Sequence, residues 1–258
     1  MRGVQRFVGG LAAASFAGAA LADTIVVSSG PAVSYGGGPF NATISVETGL
    51  IGGNPAPFTP FSSGSVSIQT FCLETNEFVS FGPSYFVEYA ASAAGGGSGG
   101  SIGGQDALSS ATAWLYSQAI GSPGGLASVF GGSGFNIADS GHQRAMQEAI
   151  WMLEEENWEP GGPGTGSAYS VANQVAAWRD ALIGQANANG TGSLFGVMVA
   201  RLWSSRSFNG ATGLWQFDGA GQDLLVLIPL PPAAWAGIGT LAAVIGFSYM
   251  RRRSYQRA

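Results

Sequence analysis

Asp139-Ser140-Gly141-His142-Gln143-Arg144-Ala145-Met146-Gln147-Glu148-Ala149-Ile150-Trp151-Met152-Leu153 is the stretch on which the reading of the fold turns. Asp139 or Ser140 is a short polar residue of the kind that caps a helix N-terminus. From there nothing interrupts a helix until about Glu156. Gln147, Ile150 and Trp151 stand three and four residues apart, so a helix places them on one face. Two further helical patterns flank this one. Residues 106–120 carry Leu108, Ala111, Leu115 and Ala119 at helical spacing behind a capping Asp106, and residues 170–186 carry Val171, Val175, Trp178 and Leu182. Outside the helices the chain reads as strands. Residues 24–28, 42–47, 65–72 and 85–89 are β-branched or aromatic, broken by Gly36-Gly37-Gly38-Pro39 and Gly52-Gly53-Asn54-Pro55. Late strands are predicted at 195–203, 213–217 and 223–228. The expectation is an α+β domain: a mainly antiparallel sheet drawn from N- and C-terminal strands, with about three helices inserted between them.

Composition narrows the function. The chain has 42 glycines in 258 residues, more than twice the usual share of about 7%. They follow no three-residue period, so collagen is excluded. The 46% apolar content is enough to bury a core, which excludes charge-driven disorder. A single cysteine rules out an intrachain disulfide framework and a cysteine-based zinc cluster, and a single histidine rules out a multi-histidine metal site. All ten basic residues are arginine; there is no lysine.

Both ends read as addresses. Arg2 and Arg6 precede an apolar, small-residue run, and Ala20-Leu21-Ala22 offers a signal-peptidase site, so residues 1–22 are expected to be a signal peptide. At the other end, residues 233–250 form an uncharged run just long enough to cross a bilayer as one transmembrane helix. Arg251, Arg252, Arg253 and Arg257 follow it and should hold that end in the cytoplasm. Pro229, Leu230, Pro231 and Pro232 stand immediately before the apolar run. This order resembles the tripartite tail of the PEP-CTERM family of bacterial surface proteins. The resemblance implies recognition and processing of residues 229–258 by an exosortase, with transient membrane anchoring and a cell-surface or extracellular-matrix destination. The family's Pro-Glu-Pro is here Pro-Leu-Pro-Pro. The remaining body, 23–228, keeps four arginines against all 15 acidic residues, a net charge near −11. Such a surface disfavours nucleic-acid binding.

Few groups in the body carry chemistry. His142 permits a Cys72–His142 nucleophile pair, but no pattern around Cys72 supports a cysteine hydrolase, and a capping or surface histidine is the reading adopted. Glu154-Glu155-Glu156 point to successive faces of a helix end, so a solvated acidic terminus is expected rather than a metal site. The glycine-rich loops lack the Lys-Ser/Thr of a phosphate loop. No cofactor is expected, and no enzymatic turnover.

Three segments remain: Phe71-Cys72-Leu73, Met146-Gln147-Glu148-Ala149-Ile150-Trp151 and Gly221-Gln222-Asp223-Leu224-Leu225-Val226. In this order they resemble the signature of Cys–Gln thioester domains of bacterial surface adhesins, whose central motif is Thr-Gln-x-Ala. Met146 stands where that family has threonine. The resemblance implies an internal thioester between Cys72 and Gln222, supported by Gln147 and Trp151, that couples to an amine on a partner. Gln147 is the fallback acyl donor. The competing reading is a non-covalent structural matrix or biofilm protein whose Cys72 is a small buried hydrophobe.

Overall fold

The computed structural model describes residues 23–30, 38–46, 50–51, 54–55, 61, 64–75, 77–94, 105–122, 124–132, 134–156 and 173–228. The signal peptide, the proline motif, the transmembrane helix and the arginine cluster read from the sequence lie outside these residues. Among the described residues no helix is long and apolar enough to cross a membrane.

The chain is α+β. In order it runs β1 (Asp23–Ser29), β2 (Phe40–Ser45), β3 (Leu50–Ile51), β4 (Asn54–Pro55), β5 (Ser65–Thr70), β6 (Ser84–Ala90), β7 (Ser92–Ala94), β8 (Gln105–Ala107), α1 (Ser110–Gly121), α2 (Ser140–Leu153), α3 (Asn173–Asn189), β9 (Val197–Asn209), β10 (Leu214–Ala220) and β11 (Leu224–Leu227). The main sheet is antiparallel, in the order β10-β9-β6-β1-β2-β5, with β11 also paired to β9. Strand β6 holds one edge of β9 at residues 199–203, so β11, which pairs residues 197–200, lies on the opposite edge. The sheet then curls until the end of β5 reaches β11. Cys72 bridges Leu224. Leu73 N–H donates to Asp223 O at 3.0 Å, and Leu225 N–H to Phe71 O at 3.2 Å. The Thr70 hydroxyl adds a bond to Leu225 O at 2.6 Å. The sheet is thereby nearly a barrel, and its seam is the Cys72 segment against β11.

Strand alternation sorts side chains between two cores. Ile25, Val27, Phe40, Ala42, Ile44, Val87, Ala200, Leu202, Leu224 and Val226 pack with Cys72 and Trp151 in the barrel interior. The intervening Phe71, Leu73, Val197, Val199 and Leu225 face outward and pack beneath the helices with Leu115, Tyr116, Met146 and Ile150. Strand β11 is buried on both faces, since Leu224, Leu225 and Val226 are all 0% exposed. That explains why its sequence is continuously apolar rather than alternating.

Several sequence expectations are corrected. Asp106 does not cap the first helix. It lies in β8, and Ser109 caps α1 by accepting from Thr112 N–H. The second helix stops at Leu153 rather than Glu156, because Glu155 turns to φ 58°. The three glutamates are not a uniformly solvated end: Glu154 and Glu156 are buried at 5% and 6% exposure. The Glu154 carboxylate accepts from Ser109 N–H, and Glu156 Oε2 accepts from Thr75 N–H and Oγ1 at 3.1 and 2.9 Å. They satisfy backbone donors at the ends of neighbouring elements. Strand β9 runs six residues past Trp203 and pairs with β10 beyond the barrel. The strand predicted to end at residue 203 is thus longer than its apolar run. In the ribbon, the Arg206 guanidinium lies 4.3 Å and 5.0 Å from the Phe86 and Trp215 ring centres.

Candidate thioester site at the barrel seam

The register of β2 and β5 sets Phe40 opposite Thr70. Continued two residues, it would set Gly38 opposite Cys72. The two backbones do not pair directly, because the Gln147 carboxamide is inserted between them. Its Oε1 accepts from Gly38 N–H at 2.9 Å and from Cys72 N–H at 3.1 Å, while its Nε2 donates to Cys72 O at 2.8 Å. The side chain thus imitates a strand residue and satisfies both backbone groups of Cys72 on the edge away from β11. Gly38 must be glycine for this. A Cβ there would lie 2.9 Å from Phe71 Cα and 3.1 Å from Gln147 Oε1. Helix α2 supplies Gln147 because the Asp139 carboxylate caps it firmly, accepting from Gly141 and His142 N–H at 2.9 Å each.

Cys72 is 1% exposed and faces the barrel interior with Leu224, Val226 and Trp151. Burial pushes its thiol up to about 12, the Gly38 N–H pulls it down, and the charge of Glu77 pushes it further up. Gln222 is 2% exposed. With Cys72 opposite Leu224, Gln222 falls opposite Glu74, and its Nε2 donates to Glu74 O at 3.0 Å. Two residues from Leu224, Gln222 shares the pleat face of Cys72 as its diagonal neighbour on the adjacent strand. Such diagonal pairs have Cα atoms about 7–8 Å apart, within reach of a long side chain. The seam therefore brings Cys72, Gln147, Trp151 and Gln222 to one place.

Carboxyls surround the seam. Glu77 Oε2 accepts from Asp223 N–H at 2.9 Å, and desolvation raises Glu77 to about 7, with the Asp223 N–H opposing and Glu156 adding to the rise. Asp223 is raised well above the ordinary carboxylate range by burial and then by Glu77; its Oδ2 accepts from Ala94 N–H, and Arg201 opposes the rise. No family model, curated protein or solved structure matches the chain.

His142 is neither a cap nor a surface residue. It is 7% exposed, and its ring stacks 4.0 Å from that of Phe130 and meets Trp178 edge-on at 4.7 Å. Its Nδ1 accepts from Asn136 N–H, and burial lowers its pKa. Phe130 and Trp178 belong to the cluster beneath the helices, whereas Cys72 faces the barrel interior. Among the described residues no three His, Cys, Asp or Glu side chains are disposed to hold a metal. The sequence reading missed Gly38 and Glu77. Gly38 is hidden in a glycine run that reads as a break, and Glu77 follows Glu74-Thr75-Asn76, a polar stretch with no motif.

Proposed function

We propose that this is an exported surface or matrix protein whose body forms an internal thioester between Cys72 and Gln222 and spends it on an amine of a partner. The observation that carries the reading is the closure of the barrel at Cys72 and Leu224, which makes two deeply buried residues, one thiol and one carboxamide, diagonal neighbours on adjacent strands. The thiol sulfur attacks Gln222 Cδ, the C–N bond breaks and ammonia leaves. The apolar interior excludes water and protects the bond from hydrolysis. Gln147 is better suited to support than to donate the acyl group, because its carboxamide is held by three hydrogen bonds to Gly38 and Cys72. The chain carries no lysine, so no side-chain amine consumes the bond within one molecule or between copies. Arginine stays protonated and is a poor nucleophile. The domain makes one bond within itself, spends it once on a partner, and is not a turnover catalyst.

The purified 23–228 body is expected to weigh less than its sequence mass by one ammonia. Methylamine should add its own mass, leaving the body one CH2 heavier than its sequence mass, label Gln222 and free the Cys72 thiol, whereas Cys72→Ala should do none of these. A native body of full mass whose Cys72 alkylates on denaturation would overturn the reading in favour of a non-covalent matrix protein. That alternative draws on the same burial, since a thiol pushed up to about 12 among apolar side chains is chemically quiet.

Residues 229–258 are proposed to deliver the body to the envelope through an exosortase, with the 233–250 helix as a transient membrane anchor. Deleting them should leave the protein secreted but no longer retained or processed at the envelope, as read by fractionation. Unchanged retention would remove the sorting role.

A further inference from the structure

We propose that the Glu77 carboxyl is the proton carrier in this exchange, passing the Cys72 thiol proton to the departing nitrogen as the thioester forms and the amine's proton to the sulfur when an amine opens the bond. This rests on the thioester reading above. Three observations converge on Glu77. Its Oε2 is anchored at 2.9 Å by the N–H of Asp223, the peptide that follows Gln222, so the carboxyl is held beside the acyl residue. It lies close enough to Cys72 for its charge to act on the thiol. It is also only partly buried, while Cys72 and Gln222 are 1% and 2% exposed, so it joins the solvent side to the buried pair.

Two of the neighbouring carboxyls hold other groups, and the third lies deeper. Asp223 holds Ala94 N–H. Glu156 holds Thr75 through both its N–H and its hydroxyl. Glu74 is 2% exposed and its charge acts on Asp223.

The chemistry requires such a group. With the thiol near 12, the thiolate at neutral pH is on the order of one part in 100,000. On formation the Sγ–Cδ bond forms and the Cδ–Nε2 bond of Gln222 breaks. The thiol proton passes to Glu77 and from there to the departing nitrogen, which leaves as ammonia. On opening, the amine nitrogen bonds Cδ, the C–S bond breaks, and the amine proton passes through Glu77 to Sγ. Glu77 ends each cycle as a carboxylate, and no oxidant or further reactant is needed. A carboxyl near 7 is matched to this duty at neutral pH. The charged and titratable groups interacting with it are Cys72, Glu156 and Asp223, and Asp223 in turn interacts with Glu74 and Arg201. Its elevation comes first from burial, so the base form appears as pH rises through about 7.

The test follows methylamine opening of the full body by intact mass between roughly pH 5 and 9, with rate constants referred to the free-base amine. Wild type should rise through about pH 7 and level off. Glu77→Gln should open about 100-fold or more slowly, the usual worth of a positioned acid–base group, and should lose the inflection. A Glu77→Gln body that melts like wild type yet keeps its ammonia supports the role at the forming step. Glu77→Asp should retain an inflection at reduced rate, which covers the case where Glu77→Gln folds poorly. A Glu77→Gln body with the wild-type rate and profile overturns the role of Glu77 alone. A wild-type body of full mass removes the thioester and this role with it.

Discussion

Replacing Trp151 with alanine is expected to lower the unfolding free energy by about 3–5 kcal/mol, the usual cost of truncating a buried aromatic. Trp151 is 6% exposed and belongs to the interior cluster with Cys72, Leu224 and Val226, while its neighbour Ile150 packs in the cluster outside the barrel. Helix α2 therefore reaches both cores through adjacent side chains. The cavity left by Trp151→Ala would open beside Cys72, so a second effect is expected. The thioester, where formed, should hydrolyse faster because water gains access to a site that excludes it. Urea unfolding measures the first effect, and intact mass against time measures the second. A variant within about 0.5 kcal/mol of wild type would behave like a surface substitution and remove Trp151 from the core.

How far the sequence could be read depended on whether a residue's role is local. Helix α2 was legible because its cap, its uninterrupted run and its apolar spacing all lie within one segment. Strands β2 and β6 were legible because burial on one face leaves an alternating or β-branched pattern. The boundaries that failed are those set by distant partners. Asp106 looks like a helix cap until residues 105–107 pair with β7. Glu154 and Glu156 look like solvent-facing charges until Ser109 and Thr75 present their N–H groups. The closing of the barrel was legible in part. The apolar runs at 66–73 and 224–228 suggest neighbouring strands, yet residues 65–70 ladder with β2, and backbone bonds to β11 begin only at Phe71. Gly38 was illegible, because the need for glycine arises from the Phe71 backbone and from a side chain 109 residues away. Glu77 was illegible for the same reason: what marks it is the N–H of Asp223, which no periodicity in the sequence announces.

Gln147 should be the least replaceable residue of the seam. Gln147→Ala leaves the N–H groups of Gly38 and Cys72 and the carbonyl of Cys72 without the partner that holds them. Each such buried group costs about 1–3 kcal/mol when it goes unmet, so a loss of at least about 3 kcal/mol is expected, together with loss of the thioester. Truncation alone cannot separate the hydrogen bonds from the lost volume, but Gln147→Glu can. The carboxyl has nearly the shape of the carboxamide and keeps an acceptor facing the two N–H groups. When ionised, it sets an oxygen against Cys72 O and buries a charge in an apolar site. When neutral, it donates O–H to Cys72 O and reproduces the native pattern. Burial favours the neutral form and raises the carboxyl's folded pKa above its unfolded value. Stability of the variant is then fully present below the unfolded value and is lost as pH rises through the folded one. Gln147→Glu should therefore melt close to wild type at about pH 4 and well below it in mild alkali, with ammonia loss from the body following the same course. A variant that matches wild type at both pH values would mean that Nε2 of Gln147 does not hold the Cys72 carbonyl, and the clamp on the seam would have to be given up.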